Sequence, residues 1–234
     1  MSQSEQKLVA GVDSSTQSVK LVIRNAVTGE LVRSGRASHP DGTEVNPTLW
    51  ATALDQAIAA AGGISDVSAI AIGGQQHGMV ALDNNGAVVR DALLWNDTRS
   101  AQAAKDLNRE LGGDAETARK VGSVLVASFT ASKLRWLADH EPESAKRVVA
   151  VAIPHDWLSW QLQGGKDFEK LFTDRSDASG TGYFDPTTSH YRYEILSLAL
   201  KHDSEIYLPR IVAPNAFGGT TLGGIPIAAG AGDN

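Results

Sequence analysis

The chain has no cysteine, which removes disulfides and thiolate metal sites from consideration. It also lacks any apolar run approaching membrane-spanning length. Its opening residues, MSQSEQK, have no apolar core of the kind a secretory signal carries. A cytoplasmic protein with no membrane partner is the expectation. There is no basic block either. The 21 Lys and Arg stand against 27 Asp and Glu, a formal net charge of −6, so a general attraction to nucleic acid is disfavoured. A negative total still leaves room for a local phosphate site. Internal repeats and low-complexity tracts are missing as well. What remains is 42% apolar and 21% charged residues over 234 positions, ordinary for a globular protein with one large domain or two small ones.

The stretch around which the chain is organised is Leu8 to Ile23. Two apolar runs, Leu8–Val12 and Val19–Ile23, flank a polar turn of Asp13, Ser14, Ser15, Thr16, Gln17 and Ser18. That pattern reads as two strands and a tight connection. The turn offers hydroxyls and backbone N–H groups suited to phosphate oxygens, with Lys20 just beyond. Its carboxylate suits a hydrated Mg²⁺. On these residues alone, a polar hairpin turn is the competing reading.

Further along, Asn46-Pro47 is a helix start, followed by Trp50, Leu54 and Ile58 on one face and a stop at Gly62-Gly63. Val67–Ile72 reads as a buried strand ending at Gly73-Gly74, which leads to Gln75-Gln76-His77. Asp83-Asn84-Asn85-Gly86 reads as a hairpin turn with Ala87–Val89 returning. A helix is expected from Asn96–Arg99 to about Leu111, helix again over 115–147, and a strand over Val148–Ile153. Pro154-His155-Asp156 should open a helix Trp157–Leu162. Gly164–Leu171 reads as an exposed insertion, 173–182 as a polar loop and Tyr193–Leu200 as a short helix. A small-residue strand, Ile225–Gly232, delivers Asp233 and Asn234. Early hairpins followed by alternating helices and strands imply an α/β domain with a mixed sheet flanked by helices. Asp13, Gln76-His77 and Asp233 then all sit where strands end in glycine-flanked loops, the usual ligand edge of an open sheet.

Seven segments occur in order: GVDSSTQSVK at 11–20, GGQQHGMV at 73–80, LLWNDTR at 93–99, FTASKLRWL at 129–137, HDWLSWQLQG at 155–164, TDRSDASGT at 173–181 and AGAGDN at 229–234. Together they resemble the amino-terminal domain of the FGGY carbohydrate kinases, over essentially the whole chain. Within the family the set looks most like the kinases of xylulose, with gluconate or ribulose kinases as the alternative. A sugar-binding module without catalysis is the alternative from a different class. The resemblance implies an actin-like, ribonuclease-H-type fold and transfer of a phosphoryl group from MgATP to a sugar hydroxyl. It also implies that residues 1–234 form the sugar-binding domain, that the chain ends at an inter-domain boundary, and that most nucleotide contacts belong to a carboxy-terminal domain. An apolar face left by that boundary would favour a homodimer.

The same resemblance assigns roles. Asp233 is the catalytic base and, with Asn234, Gln76 and His77, contacts the sugar. Asp13 holds Mg²⁺ through water, and Ser15, Thr16, Gln17 and Lys20 face the phosphates of ATP. Taken alone, a Gly-Asp-Asn sequence is a turn or cap, and Lys20 reads equally as an exposed strand lysine. Gln76 departs from the Met that many relatives carry there, and Ser132 from a common Pro. Asn96, Asp97 and Arg99 read as capping and pairing groups, and Asp174, Ser176 and Asp177 as groups that order a loop. Lys133 has no assigned role.

Overall fold

A computed structural model describes residues 7–233. At its centre is a seven-stranded mixed sheet. The polar turn of residues 15–17 joins the strand Leu8–Ser14 to the antiparallel strand Ser18–Asn25, pairing Asp13 with Lys20 and Ser14 with Val19. The alternation of apolar residues is obeyed on both strands: Leu8, Ala10 and Val12 on one and Val19, Leu21 and Ile23 on the other are buried on the face that meets the core. Leu31–Ser38 closes this side as an edge strand bearing Arg33 and Arg36, charges that discourage pairing with a foreign strand. On the other side Val67–Gly74 runs parallel to Leu8–Ser14. Pro226–Ala228 and Ala231–Gly232 run parallel to Val67–Gly74, and Phe217–Thr220 finishes the sheet.

The helix Pro47–Ala60 packs on the strands Ser18–Asn25 and Leu31–Ser38. Asn46 accepts a 3.0 Å bond from the Thr48 N–H, and Pro47 occupies the first helical turn, as the sequence predicts. Trp50, Leu54 and Ala57 are its buried positions, whereas Ile58 is only half-buried. The Trp50 ring meets Trp157 edge-on at 6.4 Å. A second apolar cluster, including Leu107, Leu134, Leu137, Ile195 and Leu196, joins the helices Ala101–Glu110, Thr130–His140 and Tyr193–Leu200 beside the sheet.

Several local expectations change. Val67–Gly74 keeps both terminal glycines in the ladder. The Asp83–Gly86 turn forms, with the Gly86 N–H bonding Asp83 O at 2.9 Å, yet Val88 makes only an isolated bridge to Leu82. The return is backed by the Asp83 N–H to Ala87 O and Val89 N–H to Ala81 O bonds, both 2.9 Å, and Val80–Leu82 pairs on its other side with Ala150–Ala152. The first long helix begins at Ala101 because Asp97 Oδ1 turns onto the Arg99 N–H at 3.0 Å. The 115–147 region divides into Asp114–Val121, Thr130–His140 and Pro142–Ala145. Pro154 opens the helix Pro154–Leu162, three residues earlier than expected. Residues 164–171 are not a free insertion: Trp160 Nε1 donates to Asp167 O at 2.7 Å and Leu171 is buried. The 173–182 stretch contains a helix, Arg175–Ser179, and Ile225–Gly232 is two short strands. Among the described residues, no helix is long and apolar enough to cross a membrane.

Gly35 is where sheet and helix touch most closely, since a Cβ there would lie 1.9 Å from Ala57 O. Backbone on both sides leaves little room to relax, so Gly35→Ala should cost roughly 2 kcal/mol, in the range of core overpacking. Thermal unfolding checks this: a fall in Tm of several degrees is expected, and no change would show that the helix can retreat.

Candidate active site

Three parallel strands end side by side. Ser14 and Gly232 both pair with Gly74, and the ladder continues one residue further, Gln75 N–H to Ser14 O at 3.1 Å and Asp233 N–H to Gly74 O at 3.0 Å. Asp13, Gln76-His77 and Asp233 are thereby brought to one edge of the sheet, although they are far apart in the chain. A cavity of about 310 Å³ opens there, lined by Thr16, Gln76, His77, Trp95, Ser128 and Asp233. Next to it lies a hollow of about 530 Å³ lined by residues including Ser15, Thr16, Gln17 and Lys20. Thr16 and Trp95 belong to both, and Trp95 Nε1 donates to Thr16 Oγ1 at 2.9 Å. Asp13 does not line the smaller cavity; it lies at the floor of the sheet edge beside Lys20.

On the turn side, Ser15 Oγ donates to Asp13 Oδ1 at 2.5 Å, and Lys20 Nζ stands 3.4 Å from Asp13 Oδ2 with both side chains half-exposed. One accessible carboxylate among hydroxyls fits a hydrated Mg²⁺, which keeps several of its own waters. Gln17 is exposed, and its carbonyl accepts the His39 N–H at 2.9 Å.

On the cavity side, Gln76 Nε2 donates to Ser176 O at 2.9 Å. His77 has φ +67°, an uncommon conformation for a residue with a side chain. Its Nδ1 lies 2.7 Å from Gly180 O. A carbonyl can only accept, so Nδ1 carries the proton and Nε2 of the neutral ring is left as an acceptor. Burial pulls the His77 pKa down, the Gly180 carbonyl pulls it back up, and nearby Lys133 lowers it again. Asp233 is pushed above the usual carboxylate value, first by burial. The Gln76 backbone N–H and His77 oppose that rise, and repulsion from Asp13 adds to it. Gly232 is needed for contact: a Cβ there would meet Gln76 Nε2 at 2.1 Å. Asn234 lies outside the described residues.

Three site residues escaped the sequence reading. Trp95 and Ser128 wall the cavity; the only signal for Trp95 was an aromatic residue leading from an apolar run into the polar turn Asn96-Asp97. Lys133 is fully buried, and Nζ donates to the carbonyls of Ser128, His77 and Ala127, the last two at 3.4 Å. Those carbonyls match the three N–H donors of an ammonium, although burial draws its pKa down to about 7. Lys133 thus ties His77 to the helix Thr130–His140. Asp97 and Arg99 are structural, as expected: Asp97 accepts from Thr43 and Arg99, and Arg99 also reaches Glu44.

Two carboxylates, a polar turn and a small polar cavity thus meet along one glycine-lined sheet edge of an α/β domain. The profile of the FGGY family of carbohydrate kinases, N-terminal domain, matches residues 8–234, and the chain belongs to that family. It is 44% identical to a xylulose kinase of Streptomyces coelicolor over all of this chain and 50% of that protein. A xylulose kinase of an Arthrobacter species is 72% identical over 40% of this chain. Among solved structures, xylulose kinase from Bifidobacterium adolescentis superposes with a TM-score of 0.95 at 43% identity, covering 99% of this chain and 54% of that one. Plasmodium falciparum glycerol kinase with ADP, at 21% identity and TM-score 0.85, shares the fold. That fold is the actin-like ATPase fold. The chain spans about half the length of the curated relatives it matches.

His77 provides a direct check on the electrostatics. Its NMR titration midpoint should lie below the ordinary histidine value of about 6.5. The unfolded chain then binds the proton more readily, so this residue's contribution to stability falls as pH drops below that value and is restored as pH rises. A midpoint at or above the ordinary value would mean the ring is more solvated than its contacts indicate.

Proposed function

We propose that this domain holds the sugar of an ATP-dependent kinase that converts D-xylulose to D-xylulose 5-phosphate. The observation that carries the reading is the shared edge: Asp233, His77 and Gln76 around one small cavity, with the hollow of the Ser15–Lys20 turn opening beside it. About 310 Å³ is at the small end of ligand pockets, suited to a single polyol. Trp95 offers an apolar surface for C–H groups, and His77 Nε2 accepts from a hydroxyl. Asn234 extends the sugar contacts in this reading.

In the transfer, the sugar oxygen attacks the γ-phosphorus of ATP, the bond to the β-bridging oxygen breaks, and ADP leaves. The hydroxyl proton passes to Asp233, which a raised pKa makes the more ready acceptor. Ser15, Thr16 and Gln17 orient phosphate oxygens from the turn, and Lys20 faces the transferred group. Asp13 would hold Mg²⁺ through water, and the ion supplies charge neutralisation for the phosphates. A cytoplasmic location goes with ATP as donor. The homodimer expected from the apolar face also belongs to this reading.

A coupled phosphorylation assay on the full-length kinase carrying this domain tests the proposal. D-xylulose should be preferred over D-ribulose and gluconate. Asp233→Asn should lower kcat by about 10²- to 10⁴-fold, the usual worth of a positioned base. Preference for gluconate would reassign the substrate, and unchanged turnover in the variant would remove Asp233 from the mechanism.

A further inference from the structure

Beneath the pocket lies a densely charged piece of interior. His155, fully buried on the helix Pro154–Leu162, has Nε2 2.9 Å from Asp174 Oδ2 and 2.8 Å from Asp177 Oδ2, while Nδ1 is 3.4 Å from Asp156 Oδ1. Burial opposes charge on the ring, but the carboxylates of Asp177, Asp156 and Asp174 overcome it and raise the pKa well above the ordinary value. Both Nε2 contacts are at hydrogen-bond distance, so the ring is held between Asp174 and Asp177. Such a buried ion group persists only when its geometry is tightly held.

The partners of His155 lead upward. Asp174 Oδ1 accepts from the N–H groups of Ser176 at 2.7 Å and Asp177 at 3.2 Å, starting the helix Arg175–Ser179. This helix and the residue after it touch each sugar-side element in turn. Ser176 O accepts from Gln76 Nε2, Gly180 O accepts from His77 Nδ1, and Ser176 Oγ accepts from the Gly232 N–H at 2.9 Å, one residue before Asp233.

We propose that the helix Arg175–Ser179 is the common anchor of the pocket, and that His155 is a positioning residue that holds this anchor through Asp174 and Asp177. His155 does not line the cavity; it acts through where Gln76, His77 and Asp233 are held. The inference rests on the sugar reading only for its affinity measurement.

Two variants cut the network at different points. His155→Gln replaces the ring with a neutral amide that cannot reach Asp156 and the Asp174–Asp177 pair from two separate nitrogens. Ser176→Ala, at an exposed position, removes the bond to Gly232. Ile195→Val, in the separate apolar cluster, is the control for general loosening. The sugar-free chain is followed by ¹⁵N NMR at the His77 imidazole and the Gln76, Gly232 and Asp233 amides, and D-xylulose is then titrated in. His155→Gln should shift the His77 and Gln76 signals and Ser176→Ala those of Gly232 and Asp233. Each should weaken D-xylulose binding about three- to tenfold, the worth of a lost hydrogen bond. Ile195→Val should lower Tm and leave those signals in place. Should His155→Gln not fold, Asp177→Asn is scored on the same signals. If these signals move no more than in the control, the positioning role is overturned. If they move as expected but the unaltered chain binds no D-xylulose, the anchor stands and the sugar reading fails.

Discussion

The site depends on the register of three parallel strands. Ser14 and Gly232 both lie opposite Gly74, and backbone bonds from Gln75 and Asp233 carry that alignment past the strand ends. A shift of one residue in either pairing would turn the reacting side chains to the opposite face, because side chains alternate along a strand. The position of Asp233 relative to Asp13 thus follows from the sheet, while His77 lies on the bend just past it and is held by Gly180 and Lys133. Rigid elements of this kind hold a reacting group more accurately than loops do.

Charge is distributed in the same spirit. Asp233 has a partial counterweight in His77 and a repulsive neighbour in Asp13, which keeps it ionisable yet inclined to take a proton. Two buried basic side chains lie behind the pocket, Lys133 wrapped in carbonyl oxygens and His155 set among carboxylates. Neither faces the cavity. Each fixes backbone that does, Lys133 through the His77 carbonyl and His155 through the residues that carry the Ser176 and Gly180 carbonyls.

Much of this was legible from the residues. The period-2 apolar runs on either side of Asp13, the Asn46-Pro47 helix start and the mixed α/β architecture all appear as read. They are local patterns backed by burial of one face. The gathering of Asp13, His77 and Asp233 followed from their place after small-residue strands. The failures were tertiary. The hairpin at Asp83–Gly86 formed, but the second partner of Val80–Leu82, Ala150–Ala152, was not foreseen, and the 173–182 stretch looked like loop because its helix is five residues long. Trp95 and Lys133 were passed over because neither the direction of an aromatic ring nor the occupants of a buried carbonyl cage can be read from spacing.

The glycines at the strand ends have an evolutionary corollary. A side chain at Gly74 would press on Ser14 O and His155, and one at Gly232 would displace the Gln76 side chain, so neither strand end accepts a larger residue without disturbing Gln76 or His155. The wall formed by Trp95 and Ser128 carries no such restriction. Sequence drift would therefore be tolerated at the wall sooner than at these strand ends.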